Sequence, residues 1–130
     1  MTILMKSIGT FNTRAKDIPR HWTLSDVTGE ITVKDSYVKG LKDITKGQQI
    51  VVLFHFHKSL PFAMEHLIQT PPHKSSPMGV FSICSPFRPN PIGLSVLSVI
   101  DINENRILVK HADMLDGTPI LDIKPHIEKK

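Results

Sequence analysis

The stretch that most constrains this chain is residues 85–95, which read Ser-Pro-Phe-Arg-Pro-Asn-Pro-Ile-Gly-Leu-Ser. Each of its three prolines fixes φ near one value and lacks a backbone N–H, which excludes a helix interior or a central strand. The stretch is therefore predicted to be a stiff loop, with Arg88 and Asn90 as its hydrogen-bonding side chains and Gly93 at a bend or a close approach. Such a loop loses little entropy when it holds a ligand, although a rigid corner between two strands explains it as well.

Length and composition indicate one domain that spans residues 1–130. The chain has 130 residues, of which 40% are apolar, enough for one sizeable core. The single cysteine, Cys84, excludes an internal disulfide framework and suits a reducing compartment, so a cytoplasmic location is expected. The N-terminal apolar run is too short for a signal peptide, and no run approaches ~20 apolar residues, so no membrane span is expected. The net charge of +4 permits contact with a polyanion without requiring it.

Hydrophobic periodicity predicts a chain made mostly of short strands. Alternation and β-branched residues favour strands at 6–11, 29–33, 50–57, 79–84, 94–102, 106–112 and 120–124. Apolar residues at helical spacing favour short helices near 37–41 and within 62–69, the second inside a long connection at 58–78. Turns are predicted at 103–105, within a hairpin, and at the Asp-Gly-Thr-Pro sequence of residues 116–119.

These elements favour a mainly β fold, a small closed or partly open β-barrel of about six strands with one or two short helices; a β-sandwich is the alternative. A doubly wound α/β fold is not expected, because strong helical periods between the strands are missing. The sequence also lacks a G-x-G-x-x-G or P-loop string, so a nucleotide-like ligand would not bind on the usual glycine-rich turn.

Two histidines raise the question of a metal site. His55 and His57 lie two residues apart in a predicted strand, which would turn both rings to one face. With His21, His66 or His73 they would form the metal site of a barrel enzyme. Because the third ligand cannot be placed, the favoured interpretation has one histidine lining a polar pocket and the other buried, and no metal is assigned.

Two further residues carry chemistry of their own. Cys84 would be a nucleophile if an adjacent base activated it, but the sequence supplies no recognisable partner, and a small core residue is the alternative. Asp116 places a carboxylate in a turn where backbone amides are free, and an Asx-type turn explains it as well.

Three strings together resemble the signatures of the TsaA-like family. They are Gly-Val-Phe at 79–81, the proline-rich string at 85–95 and Asp-Met-Leu-Asp-Gly-Thr-Pro-Ile-Leu-Asp-Ile-Lys-Pro at 113–125, and the resemblance extends from residue 8 to about residue 126. It implies a compact β-barrel that binds S-adenosyl-L-methionine outside the Rossmann plan, as a homodimer with the cofactor near the subunit contact. It further implies a methyltransferase that modifies the exocyclic nitrogen of threonylcarbamoyl-adenosine beside the anticodon of tRNA.

The resemblance also assigns roles to individual residues. Those implied for cofactor binding are Pro19, Arg20, His21, His57, Lys58, Cys84, Leu94, Met114, Leu115, Asp116 and Gly117. The catalytic residue stays unknown, with His57 and Asp116 as candidates for a general base. Arg88 and Asn90 are assigned to substrate binding or to positioning the loop. Methyl transfer mainly requires that donor and acceptor are aligned and water is excluded, which suits rigid loops.

The chain departs from the family pattern at several positions. His21 stands in place of a glutamine, Cys84 of an arginine that helps to hold the cofactor, His73 of an arginine and His126 of a tyrosine. The first expectation is therefore a tRNA methyltransferase. The alternatives are a non-catalytic barrel that binds adenosyl compounds, which the missing arginine favours, and a metal-dependent barrel enzyme that uses His55 and His57.

Overall fold

Antiparallel strands dominate the computed structural model, which describes residues 1–129. The strands are β1 (Gly9–Asn12), β2 (Thr28–Val33), β3 (Gln49–His55), β4 (Ile68–Gln69), β5 (Met78–Gly79), β6 (Ile92–Asn103), β7 (Arg106–Lys110) and β8 (Thr118–Pro125). Six of them close into a barrel in the order β1-β2-β7-β6-β3-β8, while β4 and β5 form a separate two-stranded sheet. The prediction of a mainly β fold with a barrel of about six strands is confirmed.

The barrel interior is filled by one side of each strand. In β3, burial alternates from residue to residue, so that Ile50, Val52 and Phe54 point into the core and are at most 3% exposed. This is the period of two that places successive side chains on opposite faces of a strand. The other strands and a few residues between them contribute the rest of one core cluster, whose largest fully buried members are Phe11, Ile31, Leu97, Ile107 and Ile120 on strands and Met114 before β8.

Strand register brings several chain segments to the same end of the barrel. β3 pairs antiparallel with both β6 and β8, and Phe54 lies opposite Gly93 on one side and Ile120 on the other. The end of β3 therefore meets the beginnings of β6 and β8. The proline-rich loop before β6 and the Asp-Gly turn before β8 consequently lie at this end together.

The predicted strand at 79–84 is wrong. Only Met78–Gly79 is extended and paired, with β4 as its partner, and Val80–Ser82 then forms a 3-10 turn. Val80 is 1% exposed but Phe81 is 79% exposed, so the apolar run does not enter the barrel as a strand. The physical reason is that the six other strands close on each other and leave no free edge to which this segment could pair.

Two other predicted elements are shorter than expected. β3 ends at His55 instead of residue 57: the Phe56 N–H donates to the Pro91 carbonyl at 2.9 Å, and Pro91 has no N–H to return the bond. His55 and His57 therefore do not share a strand face. The helix predicted within 62–69 is a single 3-10 turn, Met64–Leu67, because the next two residues pair as β4.

The other predicted elements form with shifted bounds: β1 begins at residue 9 instead of 6, β7 ends at residue 110 instead of 112, and β6 already begins at residue 92, inside the predicted loop 85–95. The short helix near 37–41 is a 3-10 helix at Asp35–Leu41 that buries Leu41, and a further 3-10 turn lies at Trp22–Leu24. The hairpin of β6 and β7 closes with Asn103 opposite Arg106. Among residues 1–129 there is no helix with the length and apolar character needed to cross a bilayer.

Candidate functional site

A cleft of about 700 Å³ opens at the barrel end where the proline-rich loop and the Asp-Gly turn meet. Four segments line it: residues 18–22, the end of β3 with the following residues to 60, the proline-rich loop with the start of β6, and residues 113–118 in part. Its volume lies within the range of ~300–1,000 Å³ that is usual for small-molecule sites. The two stiff turns that the sequence analysis singled out therefore contribute to one cavity.

The proline-rich loop is held in place by hydrogen bonds to its backbone. Arg88 Nη1 donates to the carbonyl oxygens of Ile83 at 2.9 Å and Ser85 at 3.2 Å, which ties the middle of the loop to its N-terminal end. From outside the loop, Gln69 Nε2 donates to the Phe87 carbonyl at 2.8 Å. Arg88 also lines the cleft, so its guanidinium positions the loop at the cavity wall. Asn90 is exposed and lies outside the lining.

The second turn is tied to the end of β1. Asp116 Oδ1 accepts hydrogen bonds from the Thr13 N–H at 3.0 Å and from Asn12 Nδ2 at 3.1 Å. Gly117 has φ of +84°, a conformation that favours glycine, and its N–H donates to the Phe11 carbonyl at 2.8 Å. A side chain at Gly117 would also approach Nε2 of His57, at 3.9 Å from the added Cβ. That distance is an ordinary contact, so the positive φ, and not the imidazole ring, is what favours glycine at this position.

The hydrogen bonds to Asp116 predict a pH effect on stability. Its pKa is lowered mainly by the Thr13 N–H and then by Asn12, so the folded state favours the ionised carboxylate. The contribution to stability is present above the ordinary aspartate pKa and is lost as pH falls through the lower folded pKa. We expect Asp116→Asn to unfold at a lower temperature than the wild type at pH 7, with the difference disappearing under acid conditions, as thermal unfolding across pH will measure. A difference that persists unchanged in acid would contradict this.

Most of the residues assigned from the resemblance come together at the cleft. Those that line it are Pro19, Arg20, His21, His57, Lys58, Cys84, Arg88, Leu94, Met114 and Leu115. Three lie outside the lining, namely Asn90, Asp116 and Gly117. Asp116 is exposed, and its hydrogen bonds fix the turn next to Met114 and Leu115. Asp116 therefore positions lining residues and does not line the cleft itself.

One carboxylate in the cleft was not predicted from the sequence. Asp113 lines the cavity and accepts a hydrogen bond from Ser95 Oγ, and Ser95 is fully buried on β6. Burial raises the pKa of Asp113, and the Ser95 hydroxyl opposes this in part. Ser95, within the apolar run 94–97, was the available signal in the sequence. A buried hydroxyl needs a hydrogen-bond partner, and this serine therefore indicates a polar group nearby. Aromatic residues that also line the cleft were missed: Trp22, Phe54, Phe56 and Phe87.

Positive groups outnumber negative ones in the lining. Arg20, Lys58 and Arg88 carry fixed positive charges, and Asp113 is the one carboxylate among the lining residues of the described chain. The pKa of His57 is lowered by its burial and by the nearby charges of Lys58 and His55. The His57 imidazole is therefore neutral at neutral pH, with a nitrogen lone pair that can accept a proton.

The histidine pair does not form a metal site. His57 lines the cleft, whereas His55 does not. Within residues 1–129, no group of three or more histidine, cysteine, aspartate or glutamate side chains is arranged to hold a metal ion. The third ligand that the metal-enzyme alternative needs is absent from this part of the chain.

Fold and site together define a small antiparallel barrel with a ligand cleft at one end, in a chain without a glycine-rich nucleotide turn. The sequence model of the family described as "tRNA-methyltransferase O N-terminal domain" matches residues 7–130. The chain belongs to this family, and the TsaA-like resemblance is confirmed.

Comparison with individual proteins supports the same family assignment. An S-adenosyl-L-methionine-binding protein of Archaeoglobus fulgidus is 37% identical over 127 residues, which cover 95% of this chain and 89% of the relative. The tRNA (adenine(37)-N6)-methyltransferase of Homo sapiens is 37% identical over 87 residues, covering 67% of this chain and 20% of that enzyme. A crystal structure of TrmO from Pseudomonas aeruginosa superposes with a TM-score of 0.76 at 28% identity, covering 98% of this chain and 55% of that one. The chain thus spans most of the archaeal relative but only part of the two methyltransferases.

Proposed function

We propose that this chain is an S-adenosyl-L-methionine-dependent methyltransferase that acts on tRNA in the cytoplasm, with residues 1–130 as a single TsaA-like barrel domain. The observation that carries the proposal is the single cleft shared by the proline-rich loop and the Asp-Gly turn, in a chain of the TrmO family. The names of the relatives support both the cofactor and the reaction class.

The chemistry of the lining fits an adenosyl cofactor. Aromatic side chains, including Trp22 and Phe87, offer ring contacts of the kind that hold a purine. The volume accommodates a ligand of this size. The residues that would hold the cofactor are those assigned above that line the cleft, with Asp116 and Gly117 fixing the turn beside them.

The proposed mechanism depends mainly on the rigid loops at the cleft. When bound, S-adenosyl-L-methionine supplies a methyl group on a positively charged sulfur. The protein has to fix donor and acceptor in line and exclude water, and the tied loop at Arg88 and the turn held by Asp116 are both suited to this. His57 is the candidate to take the proton that the acceptor amine loses, because its ring is neutral at neutral pH and lines the cleft. Asp116 lies outside the lining and is the weaker candidate.

The proposed acceptor is the exocyclic nitrogen of an adenosine that carries a threonylcarbamoyl group beside the anticodon. The position named for the human relative, adenine 37 N6, supports this choice. The cations Arg20 and Lys58 line the cleft, and their charge supports contact with phosphates of a bound RNA. We also propose a homodimer, because Leu94 and Leu115 line the cleft and yet are 51% and 44% exposed in the single chain.

Two measurements test this function. Calorimetric titration with S-adenosyl-L-methionine is expected to show saturable binding, and labelled methyl groups are expected to appear in total tRNA of the source organism. Loss of the label when tRNA lacks the threonylcarbamoyl group would identify the acceptor. Absence of binding at millimolar cofactor would overturn the proposal.

The second candidate is a barrel that binds adenosyl compounds without catalysis. The observation in its favour is Cys84, which lines the cleft where the family carries an arginine. Saturable binding without transfer of label to tRNA would support this candidate, and label in RNA would exclude it.

A further inference from the structure

Asp113 is held at the cleft by parts of the fold that leave it little freedom. The hydroxyl of Ser95, 0% exposed, donates to its Oδ1. The preceding residues are fixed as well: Ser25 Oγ donates to the Ala112 carbonyl at 2.5 Å, and the Ala112 N–H donates to the Val27 carbonyl at 3.0 Å. The carboxylate therefore keeps a defined position in the wall of the cavity.

Among the described residues, no salt bridge involves this carboxylate. In residues 1–129 the ion pairs join Arg106 with Glu30 and Lys124 with Asp122, and neither involves Asp113. The Arg88 guanidinium is engaged with backbone carbonyls. Asp113 is half-buried, and partial burial without a salt-bridge partner disfavours its charged form. The raised pKa of Asp113 agrees with this, although the His21 ring and the Trp22 N–H lower that pKa in part.

We propose that Asp113 is a specificity-determining residue that selects a positively charged ligand, and so favours the sulfonium cofactor over its neutral thioether product. This inference rests on the proposed function. In methyl transfer the S–CH₃ bond breaks with its electron pair left on sulfur, an N–CH₃ bond forms from the amine lone pair, and the amine loses a proton. The sulfonium thereby becomes the uncharged sulfur of S-adenosylhomocysteine. The attraction to Asp113 ends with the reaction, which favours exchange of product for fresh cofactor.

The test compares three ligands that differ at one position. S-adenosyl-L-methionine carries a positive sulfur, sinefungin carries an amine that is protonated in its place, and S-adenosylhomocysteine is neutral there. We expect Asp113→Asn, which keeps the size and an acceptor for Ser95 Oγ, to weaken the two cationic ligands by about tenfold and to leave S-adenosylhomocysteine nearly unchanged in calorimetry.

A matched control separates local from overall charge. Asp43 is exposed and lies outside the cleft lining, so Asp43→Asn makes the same change in net charge away from the site. All three affinities should stay as in the wild type. Equal weakening of the three ligands by Asp113→Asn would overturn the inference, because Asp113 would then act on cleft shape alone.

The wild-type protein gives a second test that does not depend on a variant folding. It should bind both cationic ligands more tightly than S-adenosylhomocysteine. Equal or weaker affinity for the cationic ligands, with all three bound, would overturn this inference and leave the proposed function intact. Failure to bind any of them would overturn the proposed function, and this inference with it.

Discussion

Gly93→Ala is expected to lower the free energy of unfolding by about 1–3 kcal/mol, the usual effect of overpacking a core. A Cβ at Gly93 would lie 2.3 Å from Phe54 Cζ and 2.8 Å from Phe56 Cζ. Phe54 is only 3% exposed and has little room to move away. Both rings line the cleft, so affinity for S-adenosyl-L-methionine should fall together with stability. Denaturant unfolding and calorimetric titration measure the two effects.

Gly40 supplies the control for this substitution. It is exposed in the 3-10 helix Asp35–Leu41, and an added Cβ would meet no atom within 4 Å. Gly40→Ala is therefore expected to leave stability and binding near the wild-type values. If Gly93→Ala were as well tolerated, the close approach of β6 to the two phenylalanine rings would not be a constraint on the site.

The second large effect is expected for Arg88→Ala, which should weaken cofactor binding by about ten- to a hundredfold. The substitution removes the two side-chain hydrogen bonds to the carbonyls of Ile83 and Ser85, which hold the loop at the cavity wall. Both bonds come from Nη1, which lies farther along its side chain than a lysine Nζ does, so Arg88→Lys keeps the charge and we expect it to recover only part of the affinity. Calorimetry with the three proteins gives the comparison.

Arg14 provides the matched control for lost charge. It is exposed and lies outside the cleft lining, so Arg14→Ala should bind the cofactor as the wild type does. Full recovery of affinity by Arg88→Lys would show that charge alone matters at this position, and the loop-positioning role assigned to the guanidinium would be wrong.

Local patterns predicted those parts of the fold in which burial alternates along the chain. β3 was visible as a continuous run of apolar, largely β-branched residues, and β7 was visible because its inward residues recur with a period of two. The segment 79–84 has a similar apolar content but becomes a 3-10 turn, since whether a strand forms depends on a partner that local sequence does not show. The closure of β1 against β8 is likewise a pairing of distant segments.

The part of the site that could be predicted from the sequence is the part with a stiff backbone. The proline-rich loop and the segment around the Asp-Gly turn both contribute residues to the cleft. Asp116 looked chemically active in the sequence, but Asn12 and Thr13 occupy its Oδ1, and they come from the other end of the chain. Asp113 was not predicted as a site residue because its neighbours in sequence do not show its role. That role depends on the hydrogen bond from Ser95, on another strand, and on the cavity that Asp113 lines.

The pairing of His55 with Ile92 has an evolutionary consequence. The long excursion between these two residues leaves the barrel and returns at neighbouring points, so its ends are held together whatever lies between them. The entropic cost of closing a loop rises only slowly with the length of the loop. Insertions and deletions in this excursion should therefore be tolerated without disturbing strand register. This tolerance applies to residues 61–82, which lie outside the cleft lining, whereas His57, Lys58 and Arg88 in the same excursion line the cleft and are constrained by the ligand site.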